Sequence, residues 1–326
     1  MWGRTAKAVP GKGSNLFSFL KNRATRTDLA AIGLQADGIS FVRVDRQSGG
    51  RARLLACEFK SLEANDEVRA LGQLASQHGL KRARCTTLLG SGDYQLLLTE
   101  APDVGADELK QALRWKIKDL IEFHINDATL DVFDLPGAAP GAKAREMYTV
   151  AARNEAIQRR VDLLTQAGIG LDVIDIPELA QRNLAGLLAE DTTGVALLSL
   201  QDKTGLITIT RQGYLYLSRT LNIGYESLRS AADPAMYFDH IVLEVQRSLD
   251  YFESHFREAP IRNLVLAPLA DPVPGFMEYL GANLNVTVGP MDLAALLDSD
   301  VPLTPALLAR CLNTIGAALR QEVKAL

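Results

Sequence analysis

The sequence is poor in cysteine and histidine, the side chains that most often form disulfides or hold structural metals. It has three cysteines and four histidines among 326 residues. Cys57, Cys85 and Cys311 are odd in number, far apart and outside any CxxC spacing, and the histidines are equally scattered. These absences predict neither a disulfide framework nor a zinc site. We therefore predict no metal ligands and expect a reducing compartment such as the cytoplasm.

Long apolar runs are also missing. No stretch approaches the roughly 18 consecutive apolar residues that a membrane-spanning helix needs, and only QEVKAL follows Arg320. We therefore expect no membrane span and no C-terminal anchor. Hydrophobic residues nevertheless make up 47% of the chain. That content suffices for one large core or two ordinary ones, and the length favours two domains.

Positive charge is concentrated at the start of the chain. Residues 1–28 hold six basic residues and one acidic residue, a net of +5, which leaves −9 for the rest of a chain whose total is −4. The segment NLFSFLK at 15–21 combines apolar and basic side chains. It is either an interfacial segment attracted to anionic lipid or part of a disordered leader. The candidate membrane contacts are Leu16, Phe17, Phe19, Leu20 and Lys21. No nucleic-acid partner is predicted.

The most regular pattern is a three-stranded meander at 194–220, GVALLSLQDKTGLITITRQGYLYLSRT. Short apolar strands alternate there with the polar turns at 201–205 and 211–213. The same pattern occupies 31–59, with turns at 36–38 and 46–50. Either the two meanders are a coincidence or the chain is internally duplicated into two pseudo-symmetric lobes.

Helices and strands alternate through the rest of the chain. Strands 85–90 and 94–99 flank Ser91-Gly92-Asp93 and read as a hairpin. Strands at 130–135 and 147–152 should pair across the Pro- and Gly-containing loop between them. Further helices are predicted at 66–78, 107–123, 154–167, 177–190, 238–256 and 307–319, and further strands at 171–176, 264–267 and 286–288.

The predicted helix at 107–123 has an aromatic residue off its apolar stripe. Trp115 projects nearly opposite the stripe and lies among Gln111, Lys118 and Glu122. Either a second layer of the same domain covers this tryptophan or it anchors a partner, as tryptophans often do at interface centres. The stripe itself is made of Leu109, Leu113, Ile117, Leu120 and Ile121.

Five segments resemble the PilM family of type IV pilus assembly proteins, and within it the branch of the mannose-sensitive haemagglutinin (MSHA) pilus, the MshI branch. They are NLFSFLK, ELKQALRWKIKDLIEF at 108–123, YTVAARNEAIQRRVDLLTQAGIGLDVIDIPELA at 148–180, EVQRSLDYFESHF at 244–256 and NTIGAALR at 313–320. The resemblance spans nearly everything after residue 14.

The resemblance implies an α/β fold similar to actin-like (ribonuclease H-like) ATPases such as FtsA. That fold has two lobes, a nucleotide cleft between them and an FtsA/PilM-type inserted subdomain. For this chain it implies a basic flexible tail at 1–28 and a first lobe at 29–190, with the inserted subdomain at about 81–150. A second lobe at 191–305 and a C-terminal helix at 306–326, packed back on the first lobe, would follow.

The resemblance also implies a site for ATP with Mg²⁺, from which the sequence departs. Each turn of such a site needs an acidic residue that binds the metal. It also needs small residues that let the backbone amides approach phosphate. Gln35 and Ser199 stand where the two acids are expected, Gln201 stands at an expected glycine, and Ala267-Pro268-Leu269 replaces an adenosine-binding glycine pair. The residues left as candidate nucleotide contacts in the turns are Asp37, Gly38, Ser40, Asp202, Lys203, Thr204 and Gly205.

Glu244 and Arg247 occupy positions where the resemblance places contacts to the ribose or base. Their spacing also fits a solvent-facing ion pair on the helix surface, which we favour. No residue is predicted to be catalytic, so whether the protein is an enzyme stays open.

Three functions follow for testing. The resemblance implies a non-catalytic cytoplasmic scaffold, peripheral to the inner membrane. It would hold the N-terminal cytoplasmic peptide of a partner resembling PilN or MshJ and would meet other pilus assembly proteins. An active actin-like ATPase that regulates pilus assembly is the alternative. A sugar or metabolite kinase on the same fold is the third, although no isolated Asp marks a catalytic base.

Overall fold

The computed structural model describes residues 28–46, 50–63, 66–135 and 145–321. Within these ranges no helix is both long enough and apolar enough to cross a membrane. The strands are β1 (Asp28–Gln35), β2 (Gly38–Asp45), β3 (Arg53–Ser61), β4 (Cys85–Leu88), β5 (Tyr94–Glu100), β6 (Ala128–Asp134), β7 (Glu146–Arg153), β8 (Leu171–Asp175), β9 (Val195–Leu200), β10 (Gly205–Arg211), β11 (Tyr214–Leu221), β12 (Asn263–Leu266), β13 (Thr287–Pro290) and β14 (Asp298–Ser299).

The helices alternate with these strands along most of the chain. They are α1 (Glu67–His78), α2 (Ala106–Ile117), α3 (Asn154–Gln166), α4 (Pro177–Ala185), α5 (Tyr225–Ser230), α6 (Ala235–Phe256), α7 (Phe276–Asn283), α8 (Leu293–Leu296) and α9 (Pro305–Ala318). Predicted helix 177–190 is shorter than expected, because α4 ends before Gly186 and only a 3₁₀ turn at Ala189–Thr192 follows.

Two of the three sheets formed by the described residues repeat one topology. The first sheet has the order β14-β3-β2-β1-β4-β8 and the second sheet the order β11-β10-β9-β12-β13. In each, an antiparallel meander is extended by two parallel strands: β4 and β8 beside β1, and β12 and β13 beside β9. The predicted duplication of the meander is therefore confirmed, since the two copies also recruit equivalent parallel strands.

Helices α4 and α9 lie between the two large sheets and share one core with both. Leu184 of α4 and Ile315 of α9 are fully buried in a cluster that also holds Val42 of β2 and Leu197 of β9. The two helices touch closely at Gly316, where a Cβ atom would lie 2.2 Å from the carbonyl oxygen of Ala180. Only a residue without a side chain lets the helices approach to this distance.

The third sheet, β5-β7-β6, is called the small sheet below. Helix α2 covers one face of it, with Ile117 packed beside Leu130 and Ala151. The other face packs toward α4, β11 and α6, and the hydroxyl of Tyr148 donates to the carbonyl oxygen of Tyr216 at 2.9 Å. The small sheet is therefore joined to the second sheet by a hydrogen bond from a side chain to the backbone.

The predicted hairpin of strands 85–90 and 94–99 is wrong. Strand β4 pairs in parallel with β1 and β8 in the first sheet, whereas β5 pairs with β7 in the small sheet. All four residues of β4 are buried, which suits a central parallel strand rather than an edge hairpin. The small sheet begins at Tyr94 and ends at Arg153.

Helix α2 is shorter than the predicted helix at 107–123. It ends at Ile117, and the amide of Glu122 beyond it donates to Gln95 Oε1 of β5 at 2.7 Å. Leu113 and Ile117 are fully buried as predicted, but Leu120 is 57% exposed, which is a correction to the predicted stripe. Because the chain leaves the helical path after Ile117, the 3.6-residue period no longer decides which side chains face the core.

Candidate functional site

A cleft of about 540 Å³ opens between the two large sheets. The β1–β2 turn forms one wall and the β9–β10 turn the other, while α9, the start of α4 and the loop after β4 close the remaining sides. Cavities of this volume are typical of sites for small molecules. The two meander turns, which are distant in sequence, therefore meet at one cavity.

In the β1–β2 turn, Asp37 lines the cleft, but two other predicted contacts do not. Ser40 is fully buried, and its hydroxyl lies 2.6 Å from the Thr314 hydroxyl of α9. Gly38 packs against β3, where a Cβ would lie 2.5 Å from the carbonyl oxygen of Lys60. Ser40 and Gly38 therefore serve packing between β2, β3 and α9, a correction to their predicted role as nucleotide contacts.

The β9–β10 turn contributes all four of its predicted residues, Asp202, Lys203, Thr204 and Gly205, to the cleft lining. Ser199, which stands at an expected metal-binding acid, is 2% exposed and donates to Gln181 Oε1 of α4 at 3.4 Å. Its hydroxyl is thus engaged with the protein itself. Gln181 in turn donates to the carbonyl oxygen of Leu197 at 3.0 Å, which ties α4 to β9.

A basic side chain that sequence reasoning did not single out stands between the two turns. Arg310 of α9 places Nη1 3.1 Å from Asp202 Oδ2, and its Nη2 contacts Asp37 Oδ2. Its guanidinium also stacks over the ring of Phe59, 4.6 Å from the centroid. Gln35 donates to the backbone carbonyl oxygen of Arg310 at 2.7 Å. Arg310 therefore connects the first turn to the second.

These contacts decide how well the cleft suits Mg²⁺ with ATP. A dication that bridges phosphates needs carboxylate oxygens free to coordinate it. Asp37 and Asp202 both have an oxygen bound to Arg310, and Gln35 and Ser199 supply no carboxylate. In the described ranges no cluster of three or more His, Cys, Asp or Glu side chains is placed to hold a metal ion. The residues present therefore do not fit a metal-bridged nucleotide in this arrangement.

The cleft also holds a buried acid that the sequence did not single out. Glu178, at the second position of α4, is 6% exposed, and Tyr94 donates its hydroxyl to Glu178 Oε2 at 2.5 Å. Burial raises the pKa of Glu178 above its ordinary value and outweighs the opposing hydrogen bond from Tyr94. Burial beside the same carboxyl raises the pKa of Tyr94. In the sequence, Glu178 is an acidic residue at the start of a predicted helix. Acidic residues are common at helix N-termini, so this position does not mark a site.

The raised pKa of Glu178 makes a testable contribution to the pH dependence of stability. An acid whose folded pKa is raised stabilises the fold below its unfolded pKa, and this contribution is lost as pH rises through the folded pKa. Glu178→Gln removes the ionisation and still accepts the Tyr94 hydrogen bond. The difference in unfolding free energy, variant minus wild type, should therefore increase between about pH 5 and about pH 8 in urea titrations.

Glu226→Gln is the matched control, because Glu226 lies on the opposite wall of the cleft and is exposed. Glu226→Gln measures how the loss of one exposed carboxylate at this cavity changes the unfolding free energy. If the unfolding free energy of Glu178→Gln minus that of wild type stayed constant or fell as pH rose, burial would not raise the pKa of Glu178 as assigned.

Glu244 and Arg247 lie on α6 and do not belong to the cleft lining. Arg219 of β11 places Nη1 2.8 Å from Glu244 Oε2, and Arg247 places Nη1 2.7 Å from Glu244 Oε1. Hydrogen bonding from Arg219 lowers the pKa of Glu244. The ion pair that the spacing suggested is present, with Arg219 as an added member, and the implied ribose or base contact is not supported.

The predicted partner surface is exposed. Trp115 is 66% exposed, so the small sheet and α2 do not cover it. The interpretation in which a second layer of the same domain covers this tryptophan is therefore not supported. Lys118 Nζ lies 5.7 Å from the centre of its ring, and Gln111 and Glu122 are exposed as well. Leu120, three residues past the end of α2, adds a second exposed apolar side chain to this stretch.

Comparison with known proteins gives a family-model match over part of the chain and solved structures of similar fold. A family model described as type IV pilus assembly protein PilM matches residues 100–232. Sequence comparison with curated proteins found no match. The structure is similar to a PilM–PilN type IV pilus biogenesis complex at a TM-score of 0.72, with 18% identity over 90% of this chain and 98% of that chain.

Two further solved structures are similar over most of the chain at lower scores. One is the cytoplasmic domain of EpsL, an inner-membrane component of the type II secretion system of Vibrio cholerae, with a TM-score of 0.48 and 12% identity over 87% of this chain and 94% of that chain. The other is a Bacteroides thetaiotaomicron protein with an actin-like ATPase fold, with a TM-score of 0.48 and 9% identity over 85% of this chain and 94% of that chain.

Three observations indicate the same fold. They are the duplicated sheets, the cleft between them and the similarity to the PilM–PilN complex. The chain therefore has the two-lobed α/β fold of the actin-like ATPases, and its residues 100–232 match the type IV pilus assembly protein PilM.

Proposed function

We propose that this chain is a cytoplasmic scaffold of type IV pilus biogenesis, of the MSHA or MshI branch, held at the inner membrane through a partner. The partner is a PilN- or MshJ-like protein whose N-terminal cytoplasmic peptide docks on the small sheet and α2. We retain the proposed division into a first lobe, a second lobe and a C-terminal helix, with β4 assigned to the first sheet.

The observation that carries the proposal is the open tryptophan within the matched segment. Trp115 lies inside residues 100–232, on the helix that covers the small sheet. An exposed aromatic ring loses hydration when a partner covers it, and tryptophan is among the residues that most often dominate binding energy. The similar structure is a PilM–PilN complex, which supports a PilN-like partner for this chain.

The polar residues near Trp115 suit a short peptide that carries both acidic and basic side chains. Lys118 Nζ lies 5.7 Å from the centre of the ring, and Glu122 is exposed in the segment that follows the helix. Lys116 is already tied to Glu100 on β5 by its contact with the Glu100 carbonyl oxygen at 2.9 Å. Rim charges of this kind orient a partner and speed its encounter more than they add affinity. The ring and Leu120 would therefore provide the affinity, and Gln111, Lys118 and Glu122 the orientation.

The cleft is the weaker candidate for the main function. Arg310 engages both turn carboxylates, and we propose that nucleotide binding is degenerate, so the chain is a pseudo-ATPase. An active ATPase that uses ATP with Mg²⁺ is the second candidate. It is favoured by the cleft volume of about 540 Å³ and by Lys203 and Thr204 in its lining.

The direct test is calorimetric titration of the full chain with a synthetic peptide. The peptide should contain the cytoplasmic N-terminal residues of the PilN- or MshJ-like protein from the same organism. Saturable binding with one peptide per chain is expected, and a scrambled peptide of the same composition is the control. Absence of heat change and of any thermal stabilisation at saturating peptide would overturn the scaffold proposal.

A separate prediction concerns the N-terminal tail, of which residues 1–27 lie outside the described residues. We propose that Leu16, Phe17, Phe19, Leu20 and Lys21 contact an anionic membrane surface. The full chain should then co-sediment with anionic vesicles in a salt-sensitive way, because basic residues and short apolar segments bind cooperatively to such surfaces.

Deletion of residues 1–28 tests this directly, and neutral vesicles are the matched control. The truncated chain should lose the salt-sensitive fraction while its binding to the partner peptide is retained. Equal co-sedimentation of the full and truncated chains would show that the tail is only a leader.

A further inference from the structure

Arg310 is anchored to one side of the cleft and bound to the other. Helix α9 packs against β1, β2, β3 and β4 of the first sheet, and the neighbouring Cys311 is fully buried in the shared core. Asp37 lies in the β1–β2 turn of the first sheet, and Asp202 lies in the β9–β10 turn of the second sheet. The contact of Arg310 with Asp202 is therefore a link from the first sheet and α9 to the second.

Several features make this link stronger than an ordinary surface ion pair. The guanidinium meets two carboxylates, stacks on Phe59, and belongs to a residue whose carbonyl oxygen accepts a hydrogen bond from Gln35. The Arg310 side chain is 29% exposed. Isolated exposed pairs contribute little, but networks with planar guanidinium geometry contribute more. The charge of arginine is also permanent at any physiological pH.

We propose that Arg310 is a built-in cation that closes the cleft without a ligand and keeps Mg²⁺ with ATP out of it. This inference rests on the proposed degenerate cleft and gives it a specific cause. The guanidinium lies between the two carboxylates that a metal would have to share. A metal-bound nucleotide can enter only after both Arg310 contacts are broken. Removal of the charge should therefore loosen the two turns and free Asp37 and Asp202 for a divalent cation.

Backbone amides at both turns offer a readout that is independent of activity. Gln201 donates its amide to the carbonyl oxygen of Thr204 at 2.8 Å, and Glu226 donates to that of Asp202 at 2.9 Å. At the first turn, Leu62 donates to the carbonyl oxygen of Asp37 at 3.0 Å. In Arg310→Gln, hydrogen exchange at these three amides should accelerate by about fivefold or more, because local opening of the turns becomes easier.

The second readout is thermal unfolding with millimolar Mg²⁺ and ATP. Wild type should show little shift, Arg310→Gln should gain a positive shift, and the double variant Asp37→Asn with Arg310→Gln should lose it again. Arg53→Gln is the matched control, because Arg53 forms an exposed ion pair with Asp300 at 3.0 Å between β3 and the segment after β14. It should change neither exchange at the turns nor the response to nucleotide.

Two results would overturn the inference. One is exchange in Arg310→Gln that matches wild type at all three amides. The other is a wild-type shift with Mg²⁺ and ATP as large as that of Arg310→Gln. Should Arg310→Gln fold poorly, Asp202→Asn breaks the same link from the other side and is judged by the same exchange measurement. Calorimetry with the partner peptide reports separately on the scaffold function, so failure of one proposal does not imply failure of the other.

Discussion

Trp115→Ala should weaken binding of the partner's cytoplasmic peptide by about 2 kcal/mol, which corresponds to roughly 30-fold in Kd. The thermal midpoint of the free chain should stay close to that of wild type, because the ring is 66% exposed and little packing is lost. Its contact with Lys118 adds at most a small term at such an exposed site. Calorimetry for binding and a thermal scan for stability provide the two measurements.

Tyr214→Ala is the matched control for this prediction. Tyr214 is another exposed aromatic residue, 46% exposed, but it lies at the start of β11 in the second sheet. It should leave peptide affinity within a factor of about 2, since it is outside the proposed surface. A sharp drop in the thermal midpoint of Trp115→Ala, or unchanged peptide affinity, would place the docking site elsewhere.

Gly316→Ala should destabilise the fold by about 3 kcal/mol or more, although alanine is the better helix former. The intrinsic preference for alanine over glycine inside a helix is about 1 kcal/mol. The added Cβ would lie 2.2 Å from the carbonyl oxygen and 2.6 Å from the carbonyl carbon of Ala180, both backbone atoms of α4. Backbone cannot rotate away as a side chain can, so the helices must separate and the core between the two large sheets must open.

Gly72→Ala is the same substitution at another helical glycine, and there we expect stability to rise rather than fall. Gly72 lies inside α1, and a Cβ there meets no atom within 4 Å. Helix preference then acts alone, and the variant should be more stable than wild type by about 0.5–1 kcal/mol. Urea denaturation midpoints measure both variants. A Gly316→Ala chain as stable as Gly72→Ala would show that α4 and α9 adjust to the extra methyl group at little cost.

Local sequence patterns were enough to predict the parts of the fold that depend on near neighbours. The meander at 194–220 was visible because its apolar residues alternate between turns that contain Gly205 and Gly213. The long helix α6 was visible because Phe238, Val245 and Phe252 recur on one face. In these cases the steric preferences of adjacent residues and the local turn chemistry already select the observed structure.

The candidate site was only partly predictable for the same reason. All four predicted residues of the β9–β10 turn line the cleft, and they could be predicted together because they are consecutive. Ser40 was misassigned, since nothing near position 40 reveals that Thr314 fills the space beside it. Glu178 and Arg310 were missed because each is a single charged residue within a helical pattern, where charged residues are common.

What the sequence by itself determined is the two meanders, the main helices and the position of Trp115 off the apolar stripe of its helix. Only the tertiary structure decided that β4 and β5 join different sheets, that α2 ends at Ile117 and that Arg310 binds Asp37 and Asp202 across the cleft. Strand partners and helix ends follow from which surfaces are buried together, and a propensity of a few tenths of a kcal/mol per residue is overridden by that packing. The Arg310 contacts join residues 37, 202 and 310. Such contacts between distant residues arise only when the sheets and α9 are already assembled, so no local pattern encodes them.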